Sequence, residues 1–113
     1  MTRMEADRLD DIRVACDAIV SYAARSGAPD DLVFDAIRIR LVEIGEAVKD
    51  LGEATRQIEP AIPWVEIARM RDLLTHRYFD TTHAIVAATA RNDIPELAAA
   101  VSRLQDRLGR THP

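Results

Sequence analysis

The residues best suited to chemistry gather in one stretch of this sequence, from Arg69 to Phe79. Arg71 is followed after four residues by His76 and, one residue further on, by Tyr78; Asp72, Arg69 and Arg77 complete the group. It joins a permanent cation, a group that titrates near neutrality and a phenol. Histidine can take and return a proton near pH 7. Arginine can hold charge developing on a phosphate with a planar fork that does not deprotonate. Cleaving an RNA phosphodiester needs both: a proton removed from the 2′-hydroxyl, charge stabilised at phosphorus, and a proton given to the leaving 5′-oxygen. Asp72 could orient Arg71 or His76. That chemistry requires no metal or other cofactor, and the chain offers no convincing ligand set for one.

The spacing also has a plainer reading. Histidine and arginine near a helix C-terminus are favoured by the helix dipole and can cap its last carbonyls. Tyr78 can be a packing residue with a wet hydroxyl. On a straight helix Arg71 and Tyr78 share a face to within about 20°, whereas Arg71 and His76 are separated by about 140°. For those two to meet, the helix must end or distort before His76, or a second copy of the chain must complete the site, as twofold symmetry would allow. His83 and His112 read as surface histidines. Glu43 and Glu46 could pair with Arg40 or with the motif arginine, but read first as a solvated face.

Helices must position this stretch. Leu9, Ile12, Cys16, Ile19, Val20 and Ala23 recur at three- and four-residue steps and predict a first helix from about Asp7 to Arg25. Gly27 and Pro29 end it, and Asp30 or Asp31 can cap the next. A second helix, about Leu32 to Leu51, carries Phe34, Ile37, Leu41, Ile44, Val48 and Leu51 on one stripe, with Val33, Ile39 and Val42 off it. A helix apolar on more than one side is packed on more than one side. Gly45 costs that helix about 1 kcal/mol relative to alanine, which points to another helix approaching closely. Residues 52–63 read as a connector, extended around Pro60 and Pro63, and Pro63 suits the first turn of a third helix ending near Tyr78 or Phe79. A fourth helix from about Thr82 to Asn92, a kink or short break at 92–95, and a fifth from about Glu96 to Leu108 complete an all-α, up-and-down bundle of four or five helices.

The 113 residues suit a single domain, 1–113, with an aliphatic core: 48% are hydrophobic and only 4% aromatic. The lone Cys16 cannot form an internal disulfide, and no apolar run reaches a membrane span or a signal peptide. These features fit a protein of the reducing cytoplasm with no membrane association. With a net charge of −4, contact with nucleic acid would have to use a local cationic cluster rather than bulk electrostatics.

Several segments, in order, resemble the HepT-like proteins of the HEPN superfamily. Residues 37–47, ending Ile44-Gly45-Glu46-Ala47, resemble the family's second-helix signature. Residues 60–64 resemble its Pro-x-Ile-Pro-Trp entry to the motif helix, residues 70–79 its RxxxxHxY block, and residues 92–97 its closing segment. Asp72 stands where relatives often have asparagine. The resemblance implies a HEPN-like bundle that forms a homodimer with the motifs lining a shared cleft. It implies a metal-independent endoribonuclease, the toxin of a toxin–antitoxin pair, acting on tRNA or mRNA. Arg71 and His76 match the family's catalytic residues, Asp72 supports them, and Arg69 and Arg77 would contact RNA. Tyr78 matches the tyrosine that a cognate minimal nucleotidyltransferase antitoxin adenylylates. The same superfamily includes non-catalytic partners that hold a nucleotidyltransferase or a nucleotide. In that alternative Arg71 and Tyr78 would be interface or nucleotide-binding residues and His76 structural.

Overall fold

In the computed structural model, residues 2–25, 27, 30–76 and 83–109 are described, with the backbone alone for His76, His83, Ala84 and Gly109. Helix α1 runs Arg3–Ala23. It begins four residues earlier than the apolar pattern suggests because Thr2 and Glu5 form a reciprocal capping box. Leu9, Ile12, Cys16 and Ile19 are wholly buried, joined by Ala15, whereas Val20 is half exposed and Ala23 faces solvent. The end of the predicted stripe therefore rotates out of the core. Burial, with Asp17 adding to it, pushes the Cys16 thiol up to about 12, so this cysteine is an inert core residue. Gly27 adopts a φ of 87° in the turn that follows, a conformation glycine takes without penalty.

Helix α2 spans Asp30–Lys49. Asp30 and Asp31 lie inside its first turn rather than at the cap, where their charge still complements the dipole. The predicted stripe from Phe34 to Leu51 is buried, Val33 and Val42 pack on its flank, and Ile39 remains 52% exposed.

The connector holds structure that the prolines did not predict. Gly52 caps a short helix α3, Glu53–Gln57, and residues 58–63 turn instead of extending. The Ile62 N–H reaches the Glu59 carbonyl at 3.2 Å, and the Trp64 N–H reaches the Ile62 carbonyl at 2.9 Å. The cause is a side chain just beyond the prolines. The Trp64 indole N–H donates to the carbonyls of both Arg56 and Glu59 at 3.0 Å, which requires the chain to fold back over the ring.

Helix α4, Trp64–His76, follows, with the Pro63 carbonyl accepting its first bond, from Ile67, at 3.1 Å. Trp64 and Leu74 point inward, and Val65 and Leu73 outward. Where a kink or short break was expected between helices α5, His83–Ala88, and α6, Ile94–Leu104, the helical path continues. A π turn over Thr89–Asp93 joins them, closed by the Ile94 N–H on the Thr89 carbonyl. The wider turn lets Pro95, which can neither donate nor tolerate the usual carbonyl beneath its ring, enter the first turn of α6 without ending the helical path. A second π turn, Gln105–Gly109, follows α6.

The result is an all-α bundle. Helix α1 packs between α2 and α6, and α2 packs against α1, α4 and α5. Arg13 donates to Ser102 and Gln105, and Gln105 to Asp10, which sets α6 antiparallel to α1. Among the described residues no helix is long and apolar enough to cross a membrane.

Candidate site on the α2–α4 face

Gly45 is where α4 comes closest to α2. A Cβ placed on Gly45 would collide with the Arg71 Cβ and stand 3.3 Å from the Ile67 carbonyl oxygen. The glycine expected to mark a close helix approach does so, and the residue it admits is the motif arginine. The register is antiparallel: an Arg38 guanidinium nitrogen donates to the Leu74 carbonyl at 3.3 Å, whereas Gly45 faces Arg71 and Ile67.

Four charges alternate across this contact. The Nε of Arg71 pairs with Glu46, and its Nη1 donates to Asp72 at 2.9 Å. Asp72 in turn accepts from the Lys49 ammonium at 3.2 Å. The hydroxyl of Thr75 donates to the Arg71 carbonyl at 2.9 Å. Arg71 and then Lys49 hold the Asp72 carboxyl below its ordinary range. Asp72 first, and then Glu46, raise the Arg71 guanidinium above its own. The Arg71 side chain is 30% exposed, and Glu46 and Asp72 are about half exposed. The guanidinium is thus aimed by short bonds yet open to water, and a phosphate can replace a carboxylate on it without burying an unpaired charge.

The expectation that Asp72 orients Arg71 matches this geometry. Glu46 does so as well, although it read first as a solvated surface residue. Glu43 pairs instead with Arg40, at 3.0 Å. Arg69 lies one turn from the cluster, on the outer side of α4. Arg77 and Tyr78 fall outside the described residues, as does the His76 side chain. The backbone of α4 stays α-helical through His76, so the helix neither ends nor distorts before it. Positions 71 and 76 therefore project about 140° apart from one helix. Among the described residues no three histidine, cysteine, aspartate or glutamate side chains cluster as metal ligands.

A family model described as "Ribonuclease HepT-like" matches residues 9–104. The chain belongs to the HepT-like ribonuclease family. A protein of Thermococcus cleftensis named "Probable ribonuclease HepT" is 34% identical over 110 residues, covering 93% of this chain and 99% of its own. A Caldanaerobacter subterraneus protein, an RNase by provisional name, is 40% identical over 80 residues, covering 66% of this chain and 71% of its own. A Methanocaldococcus jannaschii protein with the same kind of name is 36% identical over 93 residues, covering 79% and 77%. No solved structure matches.

Within this HepT-like frame, Glu46 and Lys49 were the polar partners that linear spacing could not assign. They lie more than twenty positions before the residues they hold, and only the α2–α4 register brings them together. Gly45 was the one local hint, since a helix-interior glycine flags the crossing point but not which side chains meet there.

Proposed function

We propose that this HepT-like protein is a metal-independent endoribonuclease, the toxin of a toxin–antitoxin pair in the cytoplasm. Arg71 stabilises charge on the scissile phosphate, His76 moves the proton, and Asp72 keeps the guanidinium aimed. Tyr78 is the residue that a cognate minimal nucleotidyltransferase adenylylates. An AMP group there adds negative charge and bulk beside Arg71 and Arg77 and competes with RNA for them. The observation that carries this reading is the intact Arg71–His76–Tyr78 spacing in the sequence, within a family match over residues 9–104. The names of the relatives, all ribonucleases or RNases, support the substrate class.

In this reading the active unit is a homodimer. A regular α4 separates Arg71 from His76, so the histidine that serves one arginine comes from a second copy. Exposed Val65 and Leu73 on α4, at 51% and 42%, supply apolar surface beside the motif for such a contact.

The non-catalytic alternative finds support in the two carboxylates that already occupy Arg71 and in the chain's net charge of −4. Incubation of the purified protein with tRNA and mRNA in EDTA separates the readings. Cleavage that survives chelation and disappears in both Arg71→Ala and His76→Ala establishes the nuclease. Absence of cleavage in the unsubstituted protein, or its persistence in both variants, rejects the assignment. Tyr78→Phe should remain toxic when expressed with the nucleotidyltransferase. Neutralisation of that variant would place inhibition elsewhere.

A further inference from the structure

Of the hollows that border α4 among the described residues, two carry opposite charges. The one between α4, α2 and the start of α6 has a volume of about 190 Å³, an apolar floor and the carboxylates of Glu66, Asp93 and Glu96 at its wall. It does not suit an anion. The other, about 260 Å³, lies between the end of α2, α3 and the outer side of α4. Lys49, Arg56 and Arg69 line it, against the single carboxylate of Asp72. Three cations to one anion is the reverse of the balance in a chain with a net charge of −4.

These cations are also less compensated than Arg71. Lys49 shares Asp72 with Arg71. Among the described residues neither Arg56 nor Arg69 forms an ion pair. Arg56 is not a chance visitor. Its backbone carbonyl accepts the Trp64 indole N–H at 3.0 Å, so the residue that begins α4 also pins α3 at the edge of the hollow.

We propose that this hollow is a second phosphate-binding subsite, in which Arg56, Lys49 and Arg69 hold a backbone phosphate of the RNA next to the one on Arg71. Asp72 ties the two subsites together, because it bonds both Arg71 and Lys49 and lies no more than one hydrogen bond from either cation. Trp64 in the wall is buried, 6% exposed, and offers no open ring on which a base could stack. The subsite therefore grips backbone and contributes affinity without choosing sequence. The RNA assignment rests on the nuclease reading above, whereas phosphate binding by the hollow does not.

The test uses a labelled 2′-O-methyl oligonucleotide, which cannot be cleaved, and measures its Kd against salt for the full chain. Arg56→Ala and Lys49→Ala should each weaken binding several-fold and lower the salt slope by about 0.7, one single-strand phosphate contact. The loss should be equal across unrelated oligonucleotide sequences, and Arg56→Lys should restore most of it. With cleavable RNA Arg56→Ala should raise KM and leave kcat unchanged. Unaltered Kd and slope in both alanine variants, with unchanged circular dichroism, overturn the subsite. Weaker ATP binding in Arg56→Ala with unchanged oligonucleotide binding overturns the RNA assignment in favour of a mononucleotide. If the unsubstituted chain binds the oligonucleotide through Arg56 but cleaves no RNA, the nuclease reading fails and the subsite stands; if it binds no oligonucleotide, the RNA subsite falls.

Discussion

Glu5 and Arg71 are both charged side chains that tie separate helices together, and they are built in opposite ways. Glu5 is 9% exposed. Its Oε2 accepts from the Gly52 N–H at 2.8 Å and from the Thr55 hydroxyl at 2.8 Å, while its Oε1 accepts from the Thr2 N–H at 3.3 Å. All three partners are uncharged, and two are backbone groups that cannot swing away. Arg71 has charged side-chain partners, Glu46 and Asp72, each about half exposed. A buried carboxylate with fixed neutral donors makes a joint, since removing it strands those donors. An open arginine held by carboxylates costs little to rearrange. Position in the bundle separates a charge that holds the fold from a charge available to a ligand.

The comparison breaks most sharply at Arg71 itself. Arg71→Ala should lower RNA cleavage at least about 100-fold, in line with the loss of one transition-state donor. Its melting temperature should stay close to that of the unsubstituted protein, because exposed pairs contribute about 0–1 kcal/mol. A melting point that collapses in this variant would make Arg71 a structural joint like Glu5.

Glu5→Ala should show the mirror image. It should cost about 2–3 kcal/mol in denaturant unfolding, with cleavage per folded molecule unchanged. Acid provides the same test without mutation. The Gly52 N–H first, and then the Thr55 hydroxyl, hold the Glu5 carboxyl below its ordinary value of 4.5 against the opposing effect of burial. Its stabilisation is therefore complete above that ordinary value and is lost as the pH falls through the lowered one. Glu5→Gln should remove that part of the acid dependence, and an unchanged stability–pH curve would show that Glu5 is not the joint.

Gly45→Ala joins the two regions in one variant. Alanine gains about 1 kcal/mol of helix propensity, but its methyl meets the Arg71 Cβ, which cannot rotate aside, and overpacking costs about 1–3 kcal/mol. A modest net destabilisation of up to about 2 kcal/mol should accompany at least a ~10-fold loss of cleavage, because α4 moves with its arginine. Full activity would mean that the close helix crossing does not position Arg71. The smallest effect belongs to the Lys49–Asp72 pair: a double-mutant cycle on thermal stability should give a coupling below about 0.5 kcal/mol.

Much of this was legible in the chain. The stripes of α1, α2 and α6 follow from helical spacing, because a core made of aliphatic side chains leaves a clean period. Gly45 announced a crossing for the same steric reason. What misled was a signal read from single residues without the partners they find. Prolines 60 and 63 suggested extension, but the Trp64 indole folds that segment into turns. Pro95 suggested a kink or short break, and the π turn over Thr89–Asp93 takes that place. Glu5 stands before the first apolar stripe, and nothing near it in sequence reveals Gly52 and Thr55, which bond it. Glu46 looked solvated because its partner lies on another helix.

By itself, then, the sequence determined the helical class, the order of the stripes and the place of the Arg71–His76–Tyr78 motif, since each depends on residues within a few turns of one another. The tertiary structure alone decided which side chains meet. The register of α2 against α4 gives Arg71 its two carboxylates, and the docking of α3 brings Arg56 beside Lys49 and Arg69. Contacts between residues far apart in the chain depend on how whole helices settle against a shared core, and no short window of sequence carries that information.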